Sequence, residues 1–412
     1  MFDMKQVINI LIFVGAALLA LPTMASDVIT LKRGLPTDIW LTWPGKDGLD
    51  DPKMVEEFPE YRQEYKGTEF ALVKAAGFDF VRLTVDPAVF LTKRRPEKTT
   101  VLLKGVQAAI DEILVAGLKV DVDMHIYPRE DGSPGTRQVL ASDALFAEYL
   151  KVLADVGKLV SKYPQDKVAF EVFNEPTIDC ADDMPQDAKP EWPAKLVRLH
   201  ETARAAAPKQ TLLLSGACWG GFEGLVALDP ALITDKNVIW SFHNYEPFVF
   251  THQGANWTDG YERYLKGLRF PPDVKQKKAV LAASLKALDQ ADLTTAKRKE
   301  LKANARNDLR VYFETGWAEA RAKEGFIAVE AWAKVHGIPA DRILLGEFGA
   351  IRPHDFTARN ERERAVYYRM MRTEAERRGY GWSTWEWKTE FGLTKGFDTR
   401  EFDPVMVKAL ME

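Results

Sequence analysis

Seven short apolar runs, separated by longer amphipathic stretches, constrain this chain more than any other feature of its sequence. The runs are residues 78–83, 119–124, 168–173, 211–216, 238–243, 343–347 and 381–385, and an eighth, weaker one spans 29–35. Between them the pattern is helical. From 145 to 160 the apolar positions Leu145, Tyr149, Leu153, Val156 and Val160 recur every three or four residues, and 101–116 behaves similarly, with Gly117 placed to end it. Short apolar strands separated by helices predict a parallel sheet covered on its outer face. Eight such units predict a closed (β/α)8 TIM barrel with insertions. The competing open, doubly wound sheet usually carries a glycine-rich phosphate loop after its first strand, and Arg33-Gly34-Leu35-Pro36 is not one. The interval from His243 to Ile343 is far longer than one helix needs, so residues 250–340 are expected to hold a helical insertion between strands 6 and 7.

Composition narrows the partners. With 46% hydrophobic and 28% charged residues, the chain of 412 is neither disordered nor a disulfide scaffold. A net charge of -4 gives no electrostatic basis for nucleic acid or an anionic membrane as partner. Lys5, the apolar run 7–21 and the small-residue site Thr23-Met24-Ala25 have the layout of a secretory signal peptide covering 1–25. The run is short for the roughly 20 residues of a membrane span. A secreted or periplasmic catalytic domain of 26–412 is therefore expected, with no stable membrane insertion once the leader is cleaved. In such an oxidising compartment Cys180 and Cys218 can pair. Closing that loop of about 39 residues would contribute roughly 4 kcal/mol on the chain-entropy model; two unpaired thiols are the alternative.

In a barrel, catalytic groups come from the C-terminal ends of the strands. Those ends supply Arg82, then Asp123 and His125, then Asn174-Glu175-Pro176, Trp219, His243 and Tyr245, Glu347, and finally Trp385. Buried charges are costly unless paired, so ionisable or aromatic groups at seven successive ends predict one shared polar cavity. Glu175 and Glu347 stand out, because cleavage of a glycosidic bond needs one carboxyl to protonate the leaving oxygen and another to attack or to activate water.

The stretch Phe170-Glu171-Val172-Phe173-Asn174-Glu175-Pro176 resembles the acid/base signature of glycoside hydrolase family five, the retaining (β/α)8 enzymes that include many cellulases. Further motifs follow in the family's order: Val81-Arg82-Leu83, Asp123-Met124-His125, Phe242-His243-Asn244-Tyr245, Gly346-Glu347-Phe348-Gly349, and Trp382-Ser383-Thr384-Trp385-Glu386-Trp387. The resemblance implies Glu175 as general acid/base and Glu347 as nucleophile. It further implies that Asn174 bonds the sugar 2-hydroxyl, that Arg82 and Tyr245 keep Glu347 ionised, and that His243 contacts Glu175. His125 would reach sugar hydroxyls and Trp385 would form a stacking platform. No metal or other cofactor is implied.

The first strand departs from the family's habit, with Leu35-Pro36-Thr37-Asp38 where an Asn commonly follows Arg-Gly. Loops 128–142 and 177–191 look particular to this chain and, with Trp40, Trp43, Trp192 and Trp257, are candidates for outlying sugar subsites, while Trp219 is expected among the substrate-binding and supporting residues. Asp123 is expected to support its neighbours rather than react. The expected substrate is a soluble β-glucan or its oligosaccharides, β-1,4-linked and cut internally. A mannan backbone and an exo-acting β-1,3-glucanase are the nearest alternatives. A metal site from His125, Asp123, His243 and Glu347, and a barrel that only binds carbohydrate, are the rival readings.

Overall fold

The computed structural model describes residues 28–37, 67–92, 96–127, 132–180, 189–352, 358–397 and 399–412. The expected leader 1–25, Trp40, Trp43 and the loop residues 128–131 and 181–188 lie outside them. Eight parallel strands close in sequence order: β1 Arg33–Pro36, β2 Phe80–Val85, β3 Lys119–Met124, β4 Val168–Glu171, β5 Leu212–Ser215, β6 Val238–His243, β7 Ile343–Glu347 and β8 Gly381–Ser383. β1 pairs with β2 on one side and β8 on the other, which completes the (β/α)8 barrel.

Side-chain alternation explains the layers. Val81, Leu83 and Val85 of β2, Val120, Val122 and Met124 of β3, and Leu212 and Leu214 of β5 all join the core between strands and helices. Their neighbours point the other way, into the barrel. At the bottom the inward set is apolar: Phe80, Ala169, Leu213, Ile239 and Leu344 form a separate cluster, plugged from below by Val28, Ile29 and Leu31. One step towards the C-terminal ends the inward set turns polar, with Arg82, Asp121, Asp123, Glu171, Ser241 and His243 all buried. The barrel thus carries an apolar floor and a polar ceiling, and the ceiling faces the site.

Strands β4, β5 and β8 are shorter than the sequence reading expects, and β1 and β2 are shifted for identifiable reasons. Residues 29–31 are expected to lie in β1, but the side chains of Ile29 and Leu31, with Val28, plug the barrel floor. β2 begins at Phe80 because Phe78 belongs to the outer core, edge-on to Trp382 and beside Phe402. It runs on to Val85 because Thr84, although polar, is fully buried. The helix expected at 145–160 spans Asp143–Val160, with the Ser142 side chain accepting from the Leu145 amide as its cap.

Between β6 and β7 stand three long helices, Lys277–Gln290, Thr295–Tyr312 and Trp317–Val335. The third serves the barrel directly: Trp332 meets Trp240 of β6 edge to face, and Phe326 does the same with Phe242. The first two pack on each other and on the 3-10 turn Tyr261–Tyr264, where the Tyr261 hydroxyl donates to Asp308. Among the described residues no helix is long and apolar enough to cross a membrane.

Candidate active site

Arg82 organises the site from inside the barrel. Fully buried on β2, its guanidinium donates through Nε to Glu171 Oε2 (2.7 Å), through Nη1 to Glu347 Oε1 (2.5 Å) and through Nη2 to Asn174 Oδ1 (2.8 Å). Nη2 also lies 3.0 Å from Asp123 Oδ2. A planar fork with five donors suits such a cluster better than an ammonium would. Asp123 and Asn174 are joined again through His125: Nδ1 donates to Asp123 Oδ2 (2.8 Å), which leaves Nε2 to accept from Asn174 Nδ2 (3.2 Å). Arg82, Asn174, His125 and Asp123 therefore close a ring of hydrogen bonds that orients the Asn174 amide.

Glu347 ends β7 with both oxygens held, Oε1 by Arg82 and Oε2 by the Tyr245 hydroxyl at 2.9 Å. Burial opposes its ionisation, but His243, Arg82 and the Tyr245 hydroxyl outweigh burial and keep Glu347 below the usual carboxylate range. His243 approaches through a register irregularity in the β6–β7 pairing at Phe242/His243, which sets it opposite Glu347. Its Nδ1 is 2.9 Å from Glu175 Oε1 and 3.6 Å from Glu347 Oε2. Burial disfavours the imidazolium, yet the two carboxyls beside it raise the His243 pKa.

The glycines of Gly346-Glu347-Phe348-Gly349 have a steric cause. A Cβ on Gly346 would fall 2.3 Å from Ser241 Oγ and 3.1 Å from the His243 ring, and one on Gly349 would fall 2.1 Å from the Trp385 carbonyl. The motif thus lets the two neighbouring strands close on Glu347. The Trp385 indole lies nearly parallel to the His125 ring, with centroids 5.3 Å apart, and Tyr127 stacks on His125 at 4.4 Å.

Arg82, His125, Asn174, Glu175, His243, Tyr245, Glu347 and Trp385 are thus joined through side-chain contacts. Oxygens of Glu175 and Glu347 and a nitrogen of His243 lie within 4.8 Å of one another. Such a trio could face a cation, but both Glu347 oxygens are engaged and one touches the Arg82 guanidinium. Trp219 stands at the rim, 54% exposed, on the loop after β5. Trp192 is a correction: it is buried, with its indole N–H donating to the Ser215 carbonyl and its ring against Phe173, so it packs the core and is no subsite. Trp257 is 51% exposed and continues an aromatic series from Tyr245 through His252 and Phe391.

Residues 55–391 match the family model described as cellulase, glycosyl hydrolase family 5. The chain belongs to that family. It is 28% identical to endoglucanase 3 of Fibrobacter succinogenes over 276 residues, which is 66% of this chain and 37% of that one. Against endoglucanase C of Acetivibrio thermocellus it is 23% identical over 238 residues, 55% of this chain and 65% of the relative. The chain therefore spans less than two thirds of the length of these curated relatives. Among solved structures, Thermotoga maritima Cel5A in complex with cellobiose superposes with a TM-score of 0.63 at 21% identity, covering 93% of this chain and 98% of that one.

Two members of the buried network were not assigned a role from sequence. Asp121 and Glu171 lie at inward positions of β3 and β4, fully buried, and Asp121 sits within hydrogen-bonding reach of Glu171. Neither Asp121 oxygen meets a donor, and Glu171 Oε1 meets none either. Two ionised carboxyls would leave all three atoms orphaned, whereas one proton on Asp121, donated to Glu171, leaves a single Asp121 oxygen without a donor. Burial first, then the Glu171 charge, hold the Asp121 carboxyl well above its usual range. The signal was present in the strand alternation, because Asp121 stands two residues before Asp123.

A native pKa raised in this way means that the folded state keeps a proton which the unfolded chain releases near pH 4. Stability contributed by that proton is complete below the unfolded value and declines as pH rises towards the native one, by up to about 1.4 kcal/mol per pH unit. Asp121→Asn removes the titration and supplies an amide donor to Glu171. Thermal unfolding followed from pH 4 to 7 should show the variant gaining on the wild type as pH rises. A variant that instead loses ground with rising pH would show that Asp121 serves Arg82 as a carboxylate.

Proposed function

We propose that the chain is a retaining glycoside hydrolase that cuts a soluble β-1,4-linked glucan internally by double displacement. The observation that carries this reading is the pair Glu175 and Glu347, with oxygens within 4.8 Å of each other across the barrel mouth. Retaining enzymes place their carboxyls about 5–5.5 Å apart, while inverting ones need roughly 6.5–9.5 Å to admit a water. Glu347, held ionised, attacks the anomeric carbon as Glu175 protonates the departing glycosidic oxygen, leaving a glycosyl ester on Glu347. Glu175, now a carboxylate, takes a proton from water, and the water oxygen displaces Glu347. Asn174, oriented by Arg82 and His125, is placed to donate to the sugar 2-hydroxyl, a contact that strengthens in the transition state. Trp385 offers its face to the sugar beside His125, and Trp219 offers another at the rim.

The choice of a β-1,4-glucan follows the endoglucanase relatives. The disulfide between Cys180 and Cys218 supports export to an oxidising compartment, in keeping with a secretory leader.

The test is a product assay on purified protein with soluble β-glucans, mannan and xylan, using Glu175→Gln as control. A β-1,4-glucan should yield a ladder of oligosaccharides whose new reducing ends first appear as the β-anomer by NMR. Initial release of the α-anomer would refute the double displacement, and cleavage of mannan alone would move the substrate to that backbone.

A further inference from the structure

Among the described residues, those other than glycine with positive φ are Glu175 (44°), Asp179 (57°), Cys218 (51°) and Trp219 (60°). All four sit in the two loops that follow β4 and β5. Each such backbone costs of order 1–3 kcal/mol and persists only where its surroundings over-determine it. Here the surroundings are specific. The Cys180–Cys218 disulfide joins the two loops with Cα atoms 4.7 Å apart. Beside it the Cys218 amide donates to the Ile178 carbonyl (3.0 Å) and the Trp219 amide to the Pro176 carbonyl (2.9 Å). The Asp179 carboxylate accepts from the Trp192 amide, which ties the first loop to the next helix.

The second loop reaches the opposite side of the site as well. The Gly220 carbonyl accepts from the His243 amide at 2.8 Å, and His243 in turn touches Glu175. Glu175, Pro176, Trp219, Gly220 and His243 thus form a closed circuit around the more exposed of the two carboxyls; the Glu175 side chain is 27% accessible and that of Glu347 5%. The two are anchored differently. Glu347 is gripped through its own side chain by Arg82 and Tyr245, whereas among the described residues Glu175 has one side-chain partner, His243, and depends on its backbone for aim.

We propose that Cys180 and Cys218 are positioning residues for the reaction: their disulfide fixes the backbone of Glu175, and so the proton transfer, without acting on Glu347. The proposal rests on the acid/base reading of Glu175 given above. With the bond broken, the loop after β4 is free to leave its left-handed conformation, and a proton donor must sit within about 2.6–3.2 Å of the oxygen it serves. A displacement of about 1 Å at a reacting group can cost about 10²-fold.

The experiment compares wild type, C180S/C218S and wild type reduced with dithiothreitol, on a cellooligosaccharide and on a dinitrophenyl cellobioside. The second substrate has a leaving group that departs without protonation. Expected is a fall of about 10-fold or more in kcat/KM on the oligosaccharide, with kcat/KM on the aryl substrate within about 2-fold of wild type. Azide should restore turnover of the glycosyl-enzyme on the aryl substrate, because that nucleophile needs no base. Equal losses on both substrates overturn the proposal, as does no loss on either. Unfolding of both the variant and the reduced protein below the assay temperature overturns it too, since the bond would then hold the fold rather than the loop. Glu175→Gln run alongside separates the two readings: if it lacks the leaving-group split, the acid/base assignment fails, and if only the cysteine variant lacks it, this inference alone fails.

Discussion

Glu347→Ala should abolish turnover on every substrate, with a loss on the order of 10⁴-fold or more in kcat. In the proposed mechanism this carboxylate supplies the attacking oxygen, and Tyr245, His243 and Arg82 around it cannot take that part. The fold should survive, because Arg82 keeps Glu171 and Asp123 as buried partners after Glu347 is removed. A second readout makes the assignment specific. Azide or formate added to Glu347→Ala with an activated aryl glycoside should enter the space vacated by the carboxylate and give an α-configured product, since one displacement replaces two. A β-configured product, or residual hydrolysis within about 10-fold of wild type, would remove Glu347 from the nucleophile role. The wild-type pH profile carries the same logic. Glu347 must be ionised to attack, and His243 and Arg82 hold it so against burial, so the acid limb of kcat/KM should lie below the ordinary carboxylate range.

The legibility of this site in the sequence follows from strand geometry. In a (β/α)8 barrel the reacting groups sit where strands end, and a strand end is visible as an apolar run that stops at a charged or aromatic residue. Glu175, His243, Glu347 and Trp385 are candidates legible in that way, and β3, β6 and β7 have the boundaries expected. The bottom of the barrel was less legible, because apolar residues 29–31 look the same whether they form a strand or plug one. Asp121 and Glu171 passed unassigned for a related reason: an apolar run was expected to be apolar on both faces, while β3 alternates Val with Asp. Trp192 and Trp219 show the limit for single aromatic residues. Both lie near the loops that follow strands, and only tertiary packing separates the buried one from the exposed one. The disulfide was foreseeable from compartment and loop length, but not its place beside four residues of positive φ, since backbone conformation at Glu175 or Trp219 leaves no compositional trace.

Glu175→Gln should divide substrates by leaving group. An alkoxide leaving from an unactivated oligosaccharide needs a proton in the transition state, and general acid catalysis typically supplies about 10²–10⁴-fold, so kcat/KM on such substrates should fall by that factor. A dinitrophenolate needs no proton, so kcat/KM on the aryl substrate should change by less than about 3-fold. The second half of the reaction still needs Glu175 as base, and the glycosyl-enzyme should therefore accumulate and show a burst of phenolate followed by slow turnover. Azide should relieve that slow step and yield a β-configured product, the opposite anomer from the Glu347→Ala experiment, because here both displacements occur. Gln is the appropriate replacement because its amide can keep a contact with His243, so that the loop after β4 is not disturbed together with the proton. A loss of the same size on both classes of substrate would mean that Glu175 holds the site together rather than moving a proton, and the Cys180–Cys218 proposal would fall with it.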